Sequence, residues 1–333
     1  MESLLALLAS IFFGFAPMFL FAYIIYWLDR YEKEPKLLLG GVFLWGAVVG
    51  AGSAFLLNTL IGLGVYLFTG SDALTNLTTG SLIAPFIEEG VKGMAVAIVF
   101  LAFHSEFDSI LDGIVYAAIT ALGFAAVENA YYIFSYGYLE SGWKGLLDLV
   151  FVRVVLVGWQ HPFYTSFIGI GIAVTRLSRS LLMKIAGPLA GWTLAVFTHS
   201  IHNTLAVFVT NMTGYATTTA IDWTGWLMMV LFIFWAIARE QHWIVQELRE
   251  EVELGNLTAL QYQTACSAWA QSRAGLAALL TGRYRLTRQF YQLTGELAHK
   301  KHQRRLFGEE TGNSTIITDI RAQLSGLAAK VSG

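Results

Sequence analysis

Residues 110–136 read ILDGIVYAAITALGFAAVENAYYIFSY. Asp112 and Glu128 are the only charged residues in the stretch. As a helix at about 1.5 Å per residue it would be about 40 Å long, more than the bilayer core of about 30 Å. A helix this long that is apolar on every side reads as a membrane span. Six further segments of the same character surround it: Leu4–Leu28, Leu37–Phe68, Leu82–Phe103, Leu146–Val174, Leu181–Val209 and Trp223–Ala238. The second is long enough to be tilted or broken at its glycines, and the last is short. The composition agrees. Of 333 residues 56% are hydrophobic and 13% charged, with a mean hydropathy of +0.57. Soluble domains carry about 25% charged residues, so a soluble globule is excluded. The expected fold is all-α: a polytopic membrane bundle of about seven transmembrane helices, with a helical cytoplasmic tail.

Charge divides the chain into two expected domains, a transmembrane domain over 1–238 and a tail over 239–333. The first holds nine Lys/Arg and fourteen Asp/Glu, the second twelve and nine. No basic excess points to nucleic acid. The single Cys266 excludes an intrachain disulfide and a Cys-based zinc site. The first segment lacks a basic n-region and a small-residue cleavage site, so it reads as an anchoring span. Basic loop residues set the orientation. Arg30, Lys33 and Lys36 follow the first span, and Arg176, Arg179 and Lys184 follow the fifth. The loops 69–81 and 210–222 have none, and 137–145 has only Lys144. The N-terminus is therefore expected outside and the C-terminus in the cytoplasm. Gly46, Gly50, Gly169, Gly171, Gly187 and Gly191 read as sites of close helix packing in lipid. In the tail, Ile244, Leu248 and Val252 form an apolar stripe at helical spacing that ends at Gly255-Asn256. Further helices are expected near 258–280, 283–306 and 315–329, and Gly308–Ser314 reads as a loop. The run His299–Arg305 is a basic cluster suited either to anionic lipid or to a solvated helix face.

Ionisable groups inside spans are costly and point to function. They are Glu88, Glu89, Lys92, Asp112, Glu128, Arg153, His161, His199 and His202, with the uncharged Asn129 and Asn203 beside them. Glu88 and Glu89 both fall within reach of Lys92 at i+4 and i+3. A structural ion pair accounts for one carboxylate, and the second is left to titrate or to ligate. Counted from the outer ends of their spans, Glu88 lies about 10 Å deep, Glu128 about 12 Å, His199 about 15 Å and His161 about 22 Å. Antiparallel helices thus bring carboxylates and imidazoles towards one layer. Arg153 pairs with one of these carboxylates or snorkels outwards. Asp112 is read as an N-cap, and His202 as a packing residue on another face from His199 and Asn203. Two chemistries suit the set. One is a His/Glu site, Glu88, Glu128, His161 and His199, holding a divalent metal such as zinc. The other is metal-free, with a Glu activating water and His or Asn stabilising the oxyanion. A transporter using these groups for proton or metal coupling is the alternative, and a non-catalytic scaffold displaying the tail is another.

These residues carry a resemblance. Glu88-Glu89-Gly90-Val91-Lys92 resembles the EExxK motif of the PrsW family of intramembrane proteases. Asp112–Tyr116 followed by Gly123–Asn129 is similar to its second motif, which ends in Glu-Asn. Arg153, His161 and Thr165 resemble the third, and His199–Asn203 the fourth, HxxxN. Asp29–Pro35 also has the family's look. His202 departs from the pattern, standing where the family often has an aromatic residue. The resemblance implies an intramembrane endopeptidase related to the CAAX prenyl-proteases, a group described both as metallo- and as glutamate-dependent. It implies Glu88, Glu89, Lys92, Glu128, His161, His199 and Asn203 as catalytic, with Asn129 and Arg153 supporting. Its substrates would be membrane-anchored proteins, anti-sigma factors among them, and its place a bacterial inner membrane.

Overall fold

The computed structural model describes residues 1–29, 31–209, 211–309 and 312–331. Arg30, on which the orientation reading partly rests, lies outside the described residues, as do parts of the expected loops 210–222 and 308–314 and the last two residues of the tail. Every described element is helical. The chain separates into two compact units, Met1–Leu28 with Glu34–Phe232, and Asp29–Lys33 with Ile233–Gly333.

The first unit runs α1 (Glu2–Leu28), α2 (Lys36–Leu44), α3 (Ala51–Thr69), α4 (Asp72–Thr78), α5 (Ala84–Ala102), α6 (Ile110–Tyr132), α7 (Leu139–Val150), α8 (Gln160–Leu177), α9 (Leu181–Val207) and the first half of α10 (Met212–Glu253). Wider π-turns join several of them, at Trp45–Gly50, Thr79–Ile83, Ile133–Tyr138 and Phe151–Leu156. Such turns disturb the hydrogen-bond ladder and concentrate at functional sites.

α6 is the axis of this unit, with every residue from Leu111 to Ala126 buried. That explains why its sequence is apolar on all faces. Its neighbours approach to backbone contact where a glycine allows it. A Cβ on Gly46 would collide with the carbonyl of Thr120, and one on Gly123 with that of Phe43. Gly113 and Gly169 face each other in the same way across α6 and α8, and Gly171 and Gly187 across α8 and α9. In lipid, where apolar burial drives little association, such close approach supplies the packing.

Several sequence expectations change. First, the fifth span, Leu146–Val174, is not one helix. The π-turn Phe151–Leu156 ends at Val157, whose backbone leaves the helical region, and α8 starts afresh at Gln160. Pro162 lacks an N–H and sits in the first turn of the new helix, where that is tolerated. The depth of His161 therefore cannot be counted from Leu146. Second, the helix α6 is capped by Ser109. Asp112 is its partner at the third position, accepting from the Ser109 N–H at 2.7 Å in a capping box. Third, most of the expected loop 210–222 is helix, because α10 begins at Met212. Among the described residues five helical stretches are long and apolar enough to cross a membrane: Glu2–Leu28, Lys36–Thr69, Ile110–Leu177, Leu181–Val207 and Thr213–Glu253. The third is 68 residues long, about three times the length that one crossing takes. α5 has 19 residues and three charges and stands outside these five. The protein is an integral membrane protein with a polytopic helical bundle.

The second unit contains the end of α10, α11 (Ala259–Ala265), α12 (Ala268–Leu280), α13 (Tyr284–Phe307) and α14 (Asn313–Val331). Ile244, Leu248, Phe290, Leu297, Ile320 and Leu324 form its core, and Tyr31 joins them. The backbone of Tyr31 lies directly on Gly295, where any Cβ would meet its carbonyl. The basic run in α13 is not a bare patch. Lys301 binds Glu250 at 2.7 Å and Glu251 at 2.6 Å, Arg305 binds Glu247 at 2.9 Å, and Lys300 stands 3.6 Å from Glu32. Intramolecular carboxylates thus neutralise most of it.

Candidate functional site

One connected polar network lies inside the first unit. α5 contributes Glu88, Glu89 and Lys92 from its buried face. The spacing of i, i+3 and i+4 puts all three side chains on that face. Lys92 donates to Glu89 Oε1 at 2.8 Å and lies 3.4 Å from Glu88 Oε2. Its ammonium also stands 3.2 Å from His161 Nδ1 and 4.0 Å above the ring of Phe124. Glu89 and Lys92 have no solvent exposure at all. Burying such ions is strongly unfavourable unless they are paired and hydrogen-bonded. Glu89 meets that condition. It accepts from Lys92 and from His199 Nδ1, at 2.9 Å, on one oxygen, and from Thr165 Oγ1, at 2.8 Å, on the other.

Glu88 is differently placed. Its Oε2 has the longer contact with Lys92 and lies 3.9 Å from His199 Nε2. The second carboxylate expected from the sequence is therefore Glu88, the less committed of the pair.

His161 enters from the first turn of α8, brought there by the break at Val157–Trp159. Its Nε2 lies 2.8 Å from Glu128 Oε2, and the same oxygen accepts from Arg153 Nη2 at 2.5 Å. Arg153 Nε donates to Asn129 at 2.9 Å, and its guanidinium stacks 4.1 Å above the Tyr132 ring. The π-turn before the break thus carries Arg153, and the start of the next helix carries His161, to the same carboxylate. His199 comes from α9. The ring of Tyr164 stacks on it at 4.7 Å and 16°, and His161 meets it edge-on at 5.2 Å.

One expected member falls elsewhere. The Asn203 amide donates to the Gly80 carbonyl at 2.8 Å, tying α9 to the π-turn before α5. Glu128, one of four residues expected around a metal, is engaged by Arg153 and His161. Within this network a group that could hold a cation is Glu88, His161 and His199, whose ligand atoms lie within 4.8 Å of one another. Two imidazoles and one carboxylate are a donor set that suits zinc with a position left for water. Each imidazole also binds a carboxylate through its other nitrogen, Glu128 for His161 and Glu89 for His199, as metal-binding histidines usually do. The chain's residues therefore fit a divalent metal.

Two partners escaped the sequence reading. His202 is bound to Asp222, at 2.9 Å, and so is more than packing. Asp222 is buried in α10, at a position the sequence assigns to a loop. Tyr164 has no charge to mark it in a sequence; only the stacking geometry reveals it.

A profile described as PrsW family intramembrane metalloprotease matches residues 34–237. Among curated relatives, Protease PrsW of Clostridioides difficile is 39% identical over 107 residues, 32% of this chain and 43% of that protein. Protease PrsW of Geobacillus kaustophilus is 30% identical over 47% of this chain and 62% of its own length. Protease PrsW of Bacillus subtilis is 28% identical over 50% and 68%. The chain thus spans about half of the length of the first two relatives. No solved structure matches it.

Proposed function

This chain belongs to the PrsW family of intramembrane metalloproteases, and from that premise we propose that it hydrolyses peptide bonds of membrane-anchored proteins at the Glu88–His199 site. The observation that carries the proposal is the inequality of the paired carboxylates. Glu89 is consumed by three donors, while Glu88 faces His199 Nε2 across 3.9 Å. In this reading Glu88 takes a proton from the attacking water and returns it to the leaving amine. Glu89 holds the Nδ1 proton of His199, so that Nε2 is turned towards Glu88. Lys92 keeps the carboxylate pair together, and Glu128 with Arg153 orients His161. Asn203 acts by fixing the π-turn at Gly80. When a divalent metal is bound, Glu88, His161 and His199 would hold it, and it would polarise the water. The family affinity and the basic loops together support an inner bacterial membrane, with the N-terminus outside and the tail cytoplasmic. Anti-sigma factors are one example of the substrate class.

The test is cleavage of a single-span reporter by full-length protein in proteoliposomes. Glu88→Gln should lower kcat by about 10²–10⁴ while the protein remains folded. Glu89→Ala and His199→Ala should likewise abolish detectable cleavage. Retention of cleavage by all three variants would overturn the assignment.

A further inference from the structure

We propose that Lys92 and a divalent cation are alternative occupants of one position, so that the site is charged either by its own ammonium or by a metal, never by both. The inference deepens the hydrolytic reading and rests on it. Both ring nitrogens of His161 are already engaged. An ammonium can only donate, so Nδ1, 3.2 Å from Lys92 Nζ, must accept. Nε2 then carries the proton and donates to Glu128 at 2.8 Å. A neutral imidazole has one in-plane lone pair, and here it points at Lys92. A metal ligated by Nδ1 needs that same lone pair, at about 2.0–2.1 Å. Such a metal would also have to reach Glu88, whose Oε2 is 3.4 Å from the same ammonium. It would therefore sit in contact with Lys92, with no water between the two like charges. Ligation through Nε2 instead would require that nitrogen to give up its proton and its bond to Glu128.

His199 is already arranged for ligation. Its Nδ1 is bound to Glu89, and its Nε2 faces Glu88. The obstacle is Lys92 alone, and Lys92 is firmly held, with no exposure, two carboxylates and the Phe124 ring around it. The ammonium form leaves Glu88 free to act as a base; the metal form would make it a ligand. This single exchange accounts for how one donor set suits both a glutamate-dependent and a metal-dependent chemistry.

The test is calorimetric titration of the purified full chain in detergent with Zn²⁺, repeated with Co²⁺ read by its visible absorption. Lys92→Met should bind one Zn²⁺ about tenfold or more tighter than the unaltered protein, and adding His199→Ala should remove that gain, by an effect of the size seen for changes around metal ligands. Lys92→Arg puts a bulkier cation there that, unlike an ammonium, cannot lose its proton to make way, so it should bind about tenfold more weakly than the unaltered protein. Equal or weaker binding by Lys92→Met overturns the proposal, as does the absence of Zn²⁺ binding by every folded variant. If Lys92→Met fails to fold, equal affinity of Lys92→Arg and the unaltered protein overturns it. Reporter cleavage is read separately. Cleavage without this order of affinities removes the exchange and leaves the protease; the order without cleavage does the reverse.

Discussion

At the scale of single residues, environment decides what identical side chains do. Glu88 and Glu89 are adjacent in sequence, yet three donors fix one and a long contact leaves the other available. Nothing in the pair EE distinguishes them, because the donors from His199 and Thr165 belong to other helices. Cys266, in the second unit, shows the same principle. Burial raises its thiol to about 11 from 9.0, and a hydrogen bond from Tyr262 only partly opposes this. At pH 8 the thiolate fraction should fall about 100-fold relative to an exposed cysteine. Reaction of the full chain with a disulfide reagent should be slowed at least in that proportion, and denaturant should restore it. The neutral thiol is the form the fold prefers, so its contribution is complete below pH 9 and is lost as pH rises towards 11. Rapid labelling of native protein at pH 8 would show that the thiol is not buried.

At the scale of elements, glycines set how close the helices come, and so where the site residues meet. Gly113 and Gly169 let α6 and α8, the helices that carry Glu128 and His161, touch backbone to backbone. Gly169→Ala should force the two helices apart and lower stability by about 1–3 kcal/mol. Gly52→Ala, on α3 with open space around it, should be neutral or stabilising by up to about 1 kcal/mol. Thermal unfolding in detergent measures both, and equal effects would contradict the packing argument. The break at Val157–Trp159 belongs to this scale as well. Pro162 is the local mark of it, but hydropathy reads straight through the break, since Gln160 and His161 are too few to interrupt the apolar residues on either side of them. Asp222 was missed for the converse reason: its partner His202 lies 20 residues away on another helix.

At the scale of the whole molecule, the second unit is assembled from discontinuous segments. Five residues between α1 and α2 belong to it, and Tyr31 is part of its core. Tyr31→Ala in the full chain should lower the unfolding transition of this unit by about 3–5 kcal/mol, as for other large aromatic truncations, read through the fluorescence of Trp243. A change under about 0.5 kcal/mol, the size of an ordinary surface substitution, would show that the segment is only a linker. The sequence divides the chain at 238 and gives Asp29–Lys33 to the membrane part, because apolar length is a local property and core membership is not. Within its reach the local reading went far. The membrane class, the helical content and the residues of the polar network all follow from composition and from the cost of burying charge in lipid, which leaves few ionisable groups in the spans and makes each one visible. What tertiary structure alone decided is how those groups are shared: Glu89 with His199, Glu128 with His161 and Arg153, and Asn203 with a backbone carbonyl instead of the cluster. The physical reason is that a hydrogen bond depends on positions to within a few tenths of an ångström. Those positions are set by close contacts between helices far apart in the chain and by an irregular turn between two of them, neither of which periodicity encodes.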